Sequence, residues 1–270
     1  MFSRLGYQTL RSTEGNTEAL GKTIENITNI NSVGYKKSQM SFVETLSGEI
    51  EKRDSKDFAQ GHLRRTGEVF DLALDGAGFF EVEMQSGQRA YTRAGRFKVS
   101  NEGELVTDEG YKVVPLVEQI NKPVIEALKN GKDSLGLNIQ VTTPKLIIPT
   151  DSVPEITEDG TVNVINSATG EKRKVGRINV VIVNNLQGLE SLGRGYYLPT
   201  KLSGQVKETE YGPNSATRVK QGFLEYSNVD IASEMVEMAQ LKNIISAQFK
   251  VLKVIDKLYE QVNYTIGKSA

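Results

Sequence analysis

The chain has no cysteine, no tryptophan and a single histidine, His62, among its 270 residues. The missing cysteines exclude thiol nucleophiles, disulfides and Cys/His zinc sites together. They also leave the fold indifferent to the redox state of its compartment. An excess of one charge is absent too: 33 basic residues against 34 acidic ones give a net charge of −1. That argues against a protein that works by neutralising nucleic-acid phosphates. No run approaches the roughly 20 apolar residues that cross a bilayer, so membrane insertion is not expected. The opening stretch, MFSRLGYQTLRSTEGNTEAL, is interrupted by Arg4 and Arg11 and leads into no apolar core. It is not expected to be a cleaved signal peptide, so any exit from the cytoplasm would use another route.

Reactive groups are equally sparse. His62 stands alone in a polar stretch and reads as a solvated loop histidine. Gly188 to Gly193 has the wrong glycine spacing for a nucleophile elbow, and no second histidine exists for a triad. Gly76-Ala77-Gly78 lacks the third glycine of a dinucleotide loop and opens a strand. Glu158-Asp159-Gly160 reads as a hairpin turn rather than a cation site. Lys172-Arg173-Lys174 with Arg177 reads as a solvated basic face. The acidic residues are scattered, with no pair placed for acid–base work. No catalytic residue, cofactor site or metal site is therefore expected.

What the chain does have is apolar periodicity. Hydrophobic residues are 38% and charged residues 25%, enough for a folded core in one large or two ordinary domains. From Ile231 to Val262 the pattern is one long helix. One row runs Leu241, Ile244, Gln248, Val251, Ile255, Leu258, Val262, with the alternating three and four spacing of a seam for another helix. A second row runs Met235, Met238, Ile245, Phe249, Leu252, Tyr259, which makes the stripe wider than a strict two-stranded seam. Met235 and Met238 suit adaptable packing and need no cofactor. Ser227-Asn228 supply short polar side chains for an N-cap.

Residues 3 to about 30 form a weaker helix, with Leu20, Ile24, Ile27 and Ile30 at four and three and a polar middle from Ser12 to Glu18. It ends in Asn29 to Tyr35, where Gly34 is a stop signal. Residues 46–63 are polar and charged and read as a connector. From 64 to 226 short strands follow one another, punctuated by Asp75-Gly76, Ser86-Gly87, Glu102-Gly103 and Asp159-Gly160, the texture of an antiparallel β domain. Arg218 to Glu225 is the last of these strands. Within the β region, 118–146 is less regular, with a short helix at Val124–Lys129 and a strand at Leu135–Val141. The fold class is α+β. A stalk domain pairs a helical start, 1–45, with a helical end, 227–270. A mainly antiparallel all-β domain, 64–226, is inserted between them.

Four stretches resemble the axial proteins of the bacterial flagellum, the rod and hook subunits. Glu25-Asn26-Ile27-Thr28-Asn29-Ile30-Asn31-Ser32-Val33-Gly34-Tyr35-Lys36 is similar to the family's amino-terminal signature N-N-L-A-N-x-x-T-x-G-F-K. Asn26, Asn29, Gly34 and Lys36 match it, and Tyr35 replaces Phe. Glu25, Thr28 and Ser32 depart from it. Asp71 to Val82 carries the Asp-Leu-Ala and Gly-Phe-Phe motifs, and Tyr91-Thr92-Arg93-Ala94-Gly95-Arg96-Phe97 follows. Gln221 to Asp230 then runs into Glu234-Met235-Val236. The resemblance covers the chain except residues 118–150, which look family-variable.

The resemblance implies a structural rod subunit that polymerises helically into a torque-transmitting shaft, its paired termini forming a coiled-coil-like stalk. The implied partners are copies of itself, neighbouring rod and hook proteins, basal-body ring proteins and the flagellum's type III export apparatus. The implied location is the periplasm-spanning rod of the basal body. The assembly surface is expected at Leu20, Ile24, Ile27 and the stripe of Met235, Met238, Leu241, Ile244, Ile245, Phe249, Val251, Leu252, Ile255, Leu258 and Val262. Asn26, Asn29 and Gly34 would shape the end of the first helix. The compact 46–66 segment points to a proximal rod member, whereas the Gly-Phe-Phe and Tyr-Thr-Arg motifs point to a distal one. Two alternatives stand beside this reading. One is a hook-type subunit, for whose extra domains the chain is short. The other is a secreted enzyme or wall-binding module, which would need a cleft with converging polar groups in the β region.

Overall fold

The computed structural model describes residues 2–44, 50–116, 145–149, 152–167, 170–208, 211–213 and 215–268. The fold is α+β, with long first and last helices and mostly antiparallel sheet between them. Two compact units result. One comprises Met1–Asn31, Lys36–Ala59 and Asn228–Ala270, and the other Ser32–Tyr35 and Gln60–Ser227. The helix expected at Val124–Lys129 and the strand expected at Leu135–Val141 lie outside the described residues.

In the first unit, α1 spans Phe2–Thr28, the hairpin strands β1 and β2 span Ser38–Glu44 and Ile50–Lys56, and α2 spans Ile231–Lys268. The polar middle of α1 is helical because its threonines bond to the helix itself. The hydroxyls of Thr13, Thr17 and Thr28 each donate to the carbonyl one turn earlier at 2.8 Å, and Thr23 does so at 3.2 Å. These bonds give the buried hydroxyls of Thr13 and Thr23 their hydrogen-bond partners without leaving the helix. The helix closes at Asn29, whose backbone amide and side-chain amide donate to Glu25 O at 3.1 and 2.9 Å.

Two expectations about this unit are corrected. The charged stretch 46–63 is not a simple connector. Its Ile50–Lys56 part is β2, paired antiparallel with β1 from Ser38↔Lys56 to Glu44↔Ile50. The pairing is carried by backbone groups, which polar sequence does not abolish, so composition alone could not reveal it. The N-cap of α2 is Asp230 rather than Ser227 or Asn228. Its carboxylate accepts from the Ser233 amide at 3.1 Å and the Ser233 hydroxyl at 2.5 Å. Those bonds, the hydroxyl's first, lower the Asp230 pKa, since they favour the ionised form.

The second unit is antiparallel β. Its nine-stranded sheet runs in the order Glu190–Gly193, Tyr196–Leu198, Arg89–Thr92, Phe79–Glu83, Lys112–Val113, Leu105–Thr107, Phe97–Val99, with Val180–Val183 also paired to Phe79–Glu83 and Val206–Glu208 paired to Val180–Val183. A three-stranded sheet holds Ser152–Ile156, Thr161–Asn166 and Lys172–Arg177. One core joins the two, with Phe80, Phe97, Leu105, Val162, Ile178 and Val219 among its buried members. Phe80 and Phe97 meet edge to face at 5.3 Å.

The hairpin turn expected at Asp159-Gly160 is present, with Gly160 at φ +68° and its amide donating to Thr157 O at 2.8 Å. The strand expected from Arg218 to Glu225 is broken in two. Gly222, at φ +74°, separates Arg218–Gln221, paired with Leu72–Asp75, from Phe223–Glu225, paired with Leu63–Arg65. A positive φ interrupts an extended strand at low cost only at glycine.

Candidate assembly surface

Helices α1 and α2 run antiparallel. Asn26 meets Glu234, Ser12 and Asn16 meet Gln248, and a Cβ at Gly6 would lie 3.7 Å from Ile255 Cγ2. On α2 the most buried positions are Glu234, Met238, Leu241, Ile245, Gln248, Leu252 and Ile255. Their spacing alternates four and three, the period that keeps one face of a helix on a neighbour. The intrachain face thus takes residues from both apolar rows, and Ile244, Val251, Leu258 and Val262 are left exposed. The first row is therefore not the seam with α1: its Leu241, Gln248 and Ile255 turn inward and its other members turn outward. A stripe wider than one seam offers two adjacent faces, and α1 covers only one.

Ile255 is 5% exposed, whereas Val251 is 44% and Phe249 53% exposed, and Met235 is exposed as well. On α1, Leu20 and Ile27 are half-buried and Ile24 is exposed. Lengths add to the mismatch. At 1.5 Å per residue the 27 residues of α1 span about 41 Å and the 38 of α2 about 57 Å.

Asn26 is not part of any exposed surface. At 1% exposure, its side chain donates to Ser38 O at 2.8 Å and to Glu234 Oε2 at 3.0 Å, and it accepts from Ser38 N at 2.8 Å. An amide side chain there satisfies the first residue of β1 as a neighbouring strand would. Glu234 is fully buried and also pairs with Lys37 Nζ at 2.5 Å. Asn228, freed from capping, accepts from the Lys37 amide at 2.8 Å and donates to Asp57 O at 2.9 Å. Lys36 Nζ donates to Ala59 O at 2.6 Å. The amino-terminal signature and the carboxy-terminal motif therefore meet in one hydrogen-bonded cluster. Lys37, Asn228 and Glu234 were missing from the expected site. The available signal was a buried-type glutamate in the first turn of an otherwise apolar stripe.

Gly34 belongs to the β unit, at φ +68°, and its amide donates to Glu225 O at 2.8 Å. Any side chain there would meet Ala94 N at 2.4 Å. Two more motif stretches join at Arg93 and Glu225, whose buried ion pair measures 3.1 Å. The Arg93 guanidinium also donates to Gly76 O at 2.9 Å, and burial lowers its pKa against the pull of Glu225.

The rejected chemical candidates have structural places. The Asp159 carboxylate accepts from Thr161 Oγ1 at 2.8 Å within its turn. Arg177 donates to Asp159 O at 2.6 Å and stacks 4.5 Å over the Tyr211 ring, so it is not part of a free basic face. The His62 carbonyl accepts from the Tyr226 amide at 2.9 Å. Among the described residues, no three His, Asp or Glu side chains gather where they could hold a metal ion. No described helix is long and apolar enough to cross a membrane.

Residues 73–164 match the flagellar hook protein FlgE/F/G D1 domain, and residues 220–264 match the flagellar basal body rod FlgEFG protein C-terminal region. The chain is 31% identical over 208 residues to the flagellar basal-body rod protein FlgG of Buchnera aphidicola subsp. Schizaphis graminum, covering 77% of this chain and 69% of that one. The chain belongs to the flagellar basal-body rod protein family. Other rod proteins agree. FlgG of Bacillus subtilis is 30% identical over 262 residues, 88% of this chain and 89% of its own. FlgF of Caulobacter vibrioides is 29% identical over 248 residues, 87% and 85%. This rod protein is a structural subunit of the flagellar basal body and not an enzyme.

Proposed function

We propose that this rod subunit polymerises helically through its terminal helices, α1 and α2 packing as a coiled-coil-like stalk against those of neighbouring copies. The observation that carries the reading is the exposed row Ile244, Val251, Leu258 and Val262, beside the face that α1 already covers. Three of these recur every seven residues, the spacing of a second helix seam. An apolar row left in water is an unfinished interface. Repeated heterologous contacts that do not close on themselves generate a helical filament. Ile24, Met235, Phe249, Leu20 and Ile27 flank the same faces and belong to this surface. Met238, Leu241, Ile245, Leu252 and Ile255 serve it from within, by holding α1 on α2. Asn29 and Gly34 shape the chain where α1 ends.

The partners in this reading are further copies, neighbouring rod and hook proteins and the basal-body rings. The flagellar type III export apparatus delivers the chain to a rod that spans the periplasm. Many shallow helix contacts suit a shaft that carries torque, because load spreads over the whole length of each helix.

Replacing Val251 and Leu258 by glutamate tests this. Both are exposed, so the stability of the purified chain is expected to change by less than about 0.5 kcal/mol. Rod assembly and swimming are expected to be lost. A strain that swims normally with both glutamates would overturn the proposal.

A further inference from the structure

The face between α1 and α2 carries two polar layers, set two heptads apart on α2. At Glu234 the partners are Asn26 at 3.0 Å and Lys37 at 2.5 Å. At Gln248 the side chain accepts from Asn16 Nδ2 at 3.2 Å and donates to Ser12 Oγ at 2.8 Å. Between them the α2 face is apolar: Met238, Leu241 and Ile245. Apolar residues at this spacing do not tell one register from another a heptad away. A polar residue does, because a slip sets it against groups that cannot return both of its bonds. Glutamine uses its acceptor and its donor here, toward two side chains one turn apart on α1. Slipped by a heptad in one direction, Gln248 would face Ala19 and Thr23. Ala19 has no polar side-chain group, and the Thr23 hydroxyl, already donated to Ala19 O at 3.2 Å, could accept one bond but not supply the other. Slipped the other way, it would face Leu5 and Thr9.

We propose that Ser12, Asn16 and Gln248 are positioning residues that form a second register pin between α1 and α2, acting independently of the Asn26–Glu234 pin. The layer costs some stability relative to hydrocarbon and in return fixes which residues stand opposite each other. Among many like helices packed side by side, that requirement is stronger than in an isolated pair. The inference draws on the assembly reading only for the setting in which it matters.

The cysteine-free chain allows a direct test, since two introduced thiols are the only ones present. Gly6→Cys with Ile255→Cys reports the observed register, and Gly6→Cys with Val262→Cys reports a one-heptad slip. Disulfide formation is read on rods isolated in basal bodies and on the purified full chain. The parent and Asn26→Ala are both expected to close only the 6–255 pair. Asn26→Ala combined with Asn16→Leu and Gln248→Leu is expected to lose this discrimination, closing 6–262 as readily. Gln248→Glu in the Asn26→Ala background keeps an acceptor for both Asn16 and Ser12 and is expected to retain the parent pattern. The proposal is overturned if Asn26→Ala alone closes 6–262, or if the triple variant still closes only 6–255. Exclusion of the triple variant alone from rods supports it. Absence of every version from rods counts against the assembly reading instead, and the disulfides of the purified chain then decide the pin.

Discussion

Asn26 Nδ2 donates to Glu234 Oε2 across 3.0 Å, joining residues 208 positions apart. With Ser38 and Lys37 they form a cluster inside the first unit, joined by the Asn26–Ser38 hydrogen bonds and the Lys37–Glu234 ion pair. Replacing Asn26 by alanine strands Ser38 N and Ser38 O and leaves Glu234 with Lys37 alone. Buried polar groups left without partners cost about 1–3 kcal/mol. Faster amide exchange in the second half of α1 and in β1 is the expected readout. Unchanged exchange there would contradict the role given to Asn26.

Arg93 and Glu225 are 5% and 0% exposed in their side chains. Removing one partner leaves the other charge buried and unpaired, which costs about 3–5 kcal/mol. Arg93→Ala and Glu225→Ala are each expected to lower the unfolding free energy of the β unit by that order, read as a lower denaturant midpoint. Arg93→Met with Glu225→Leu removes both charges and is expected to cost clearly less than either single change. If the double variant were the least stable of the three, the pair would be a net stabiliser beyond its desolvation.

Acid sensitivity has an identifiable contributor in Glu104. Hydrogen bonds from Lys112 at 2.6 Å, and then from Lys145 at 2.8 Å, hold its carboxyl below the usual value of 4.5. A carboxylate whose folded pKa is depressed contributes stability that is fully present above its unfolded value. That stability is lost as pH falls through the folded value. Denaturation midpoints of the parent are therefore expected to fall below about pH 4.5. Glu104→Gln is expected to be less stable near neutrality and to converge on the parent in acid. Parallel curves across the whole range would exclude this contribution.

Gly34 takes φ +68°, and a Cβ there would lie 2.4 Å from Ala94 N. The left-handed backbone alone costs a non-glycine residue about 1–2 kcal/mol, and the backbone contact adds to it. Gly34→Ala is expected to lower the melting temperature of the β unit. In contrast, Gly87→Ala, with nothing within 4 Å of its Cβ, bears only the backbone cost. Equal losses from the two changes would show that the contact with Ala94 is unimportant.

Much of this was readable from the chain. The three-four spacing after Ile231 announces a helix because a face must recur every turn, and α2 begins at that residue. Asp159-Gly160 announces a hairpin because its turn needs a positive φ, and Val162 pairs back with Ile156. What spacing could not give was the allocation of the stripe. Leu241 and Ile244 are both three-four neighbours in one row, yet the first turns to α1 and the second to solvent. The choice depends on α1, whose most buried side chains are the polar Thr13, Thr23 and Asn26, with Leu20 and Ile27 only half-buried. Nor does polarity along 46–63 reveal β2, since ladder bonds use backbone atoms common to every residue but proline.

The sequence by itself therefore determined the kind of protein: two apolar helical ends around a glycine-punctuated β region, with motif residues at both ends. Local periodicity and turn chemistry are properties of neighbouring residues, and they survive without a partner. The tertiary structure alone decided which residues those motifs bring together. Asn26 with Glu234 and Arg93 with Glu225 meet only because the fold returns distant segments to one place. A buried polar group keeps its position by finding that distant partner, which no local pattern encodes.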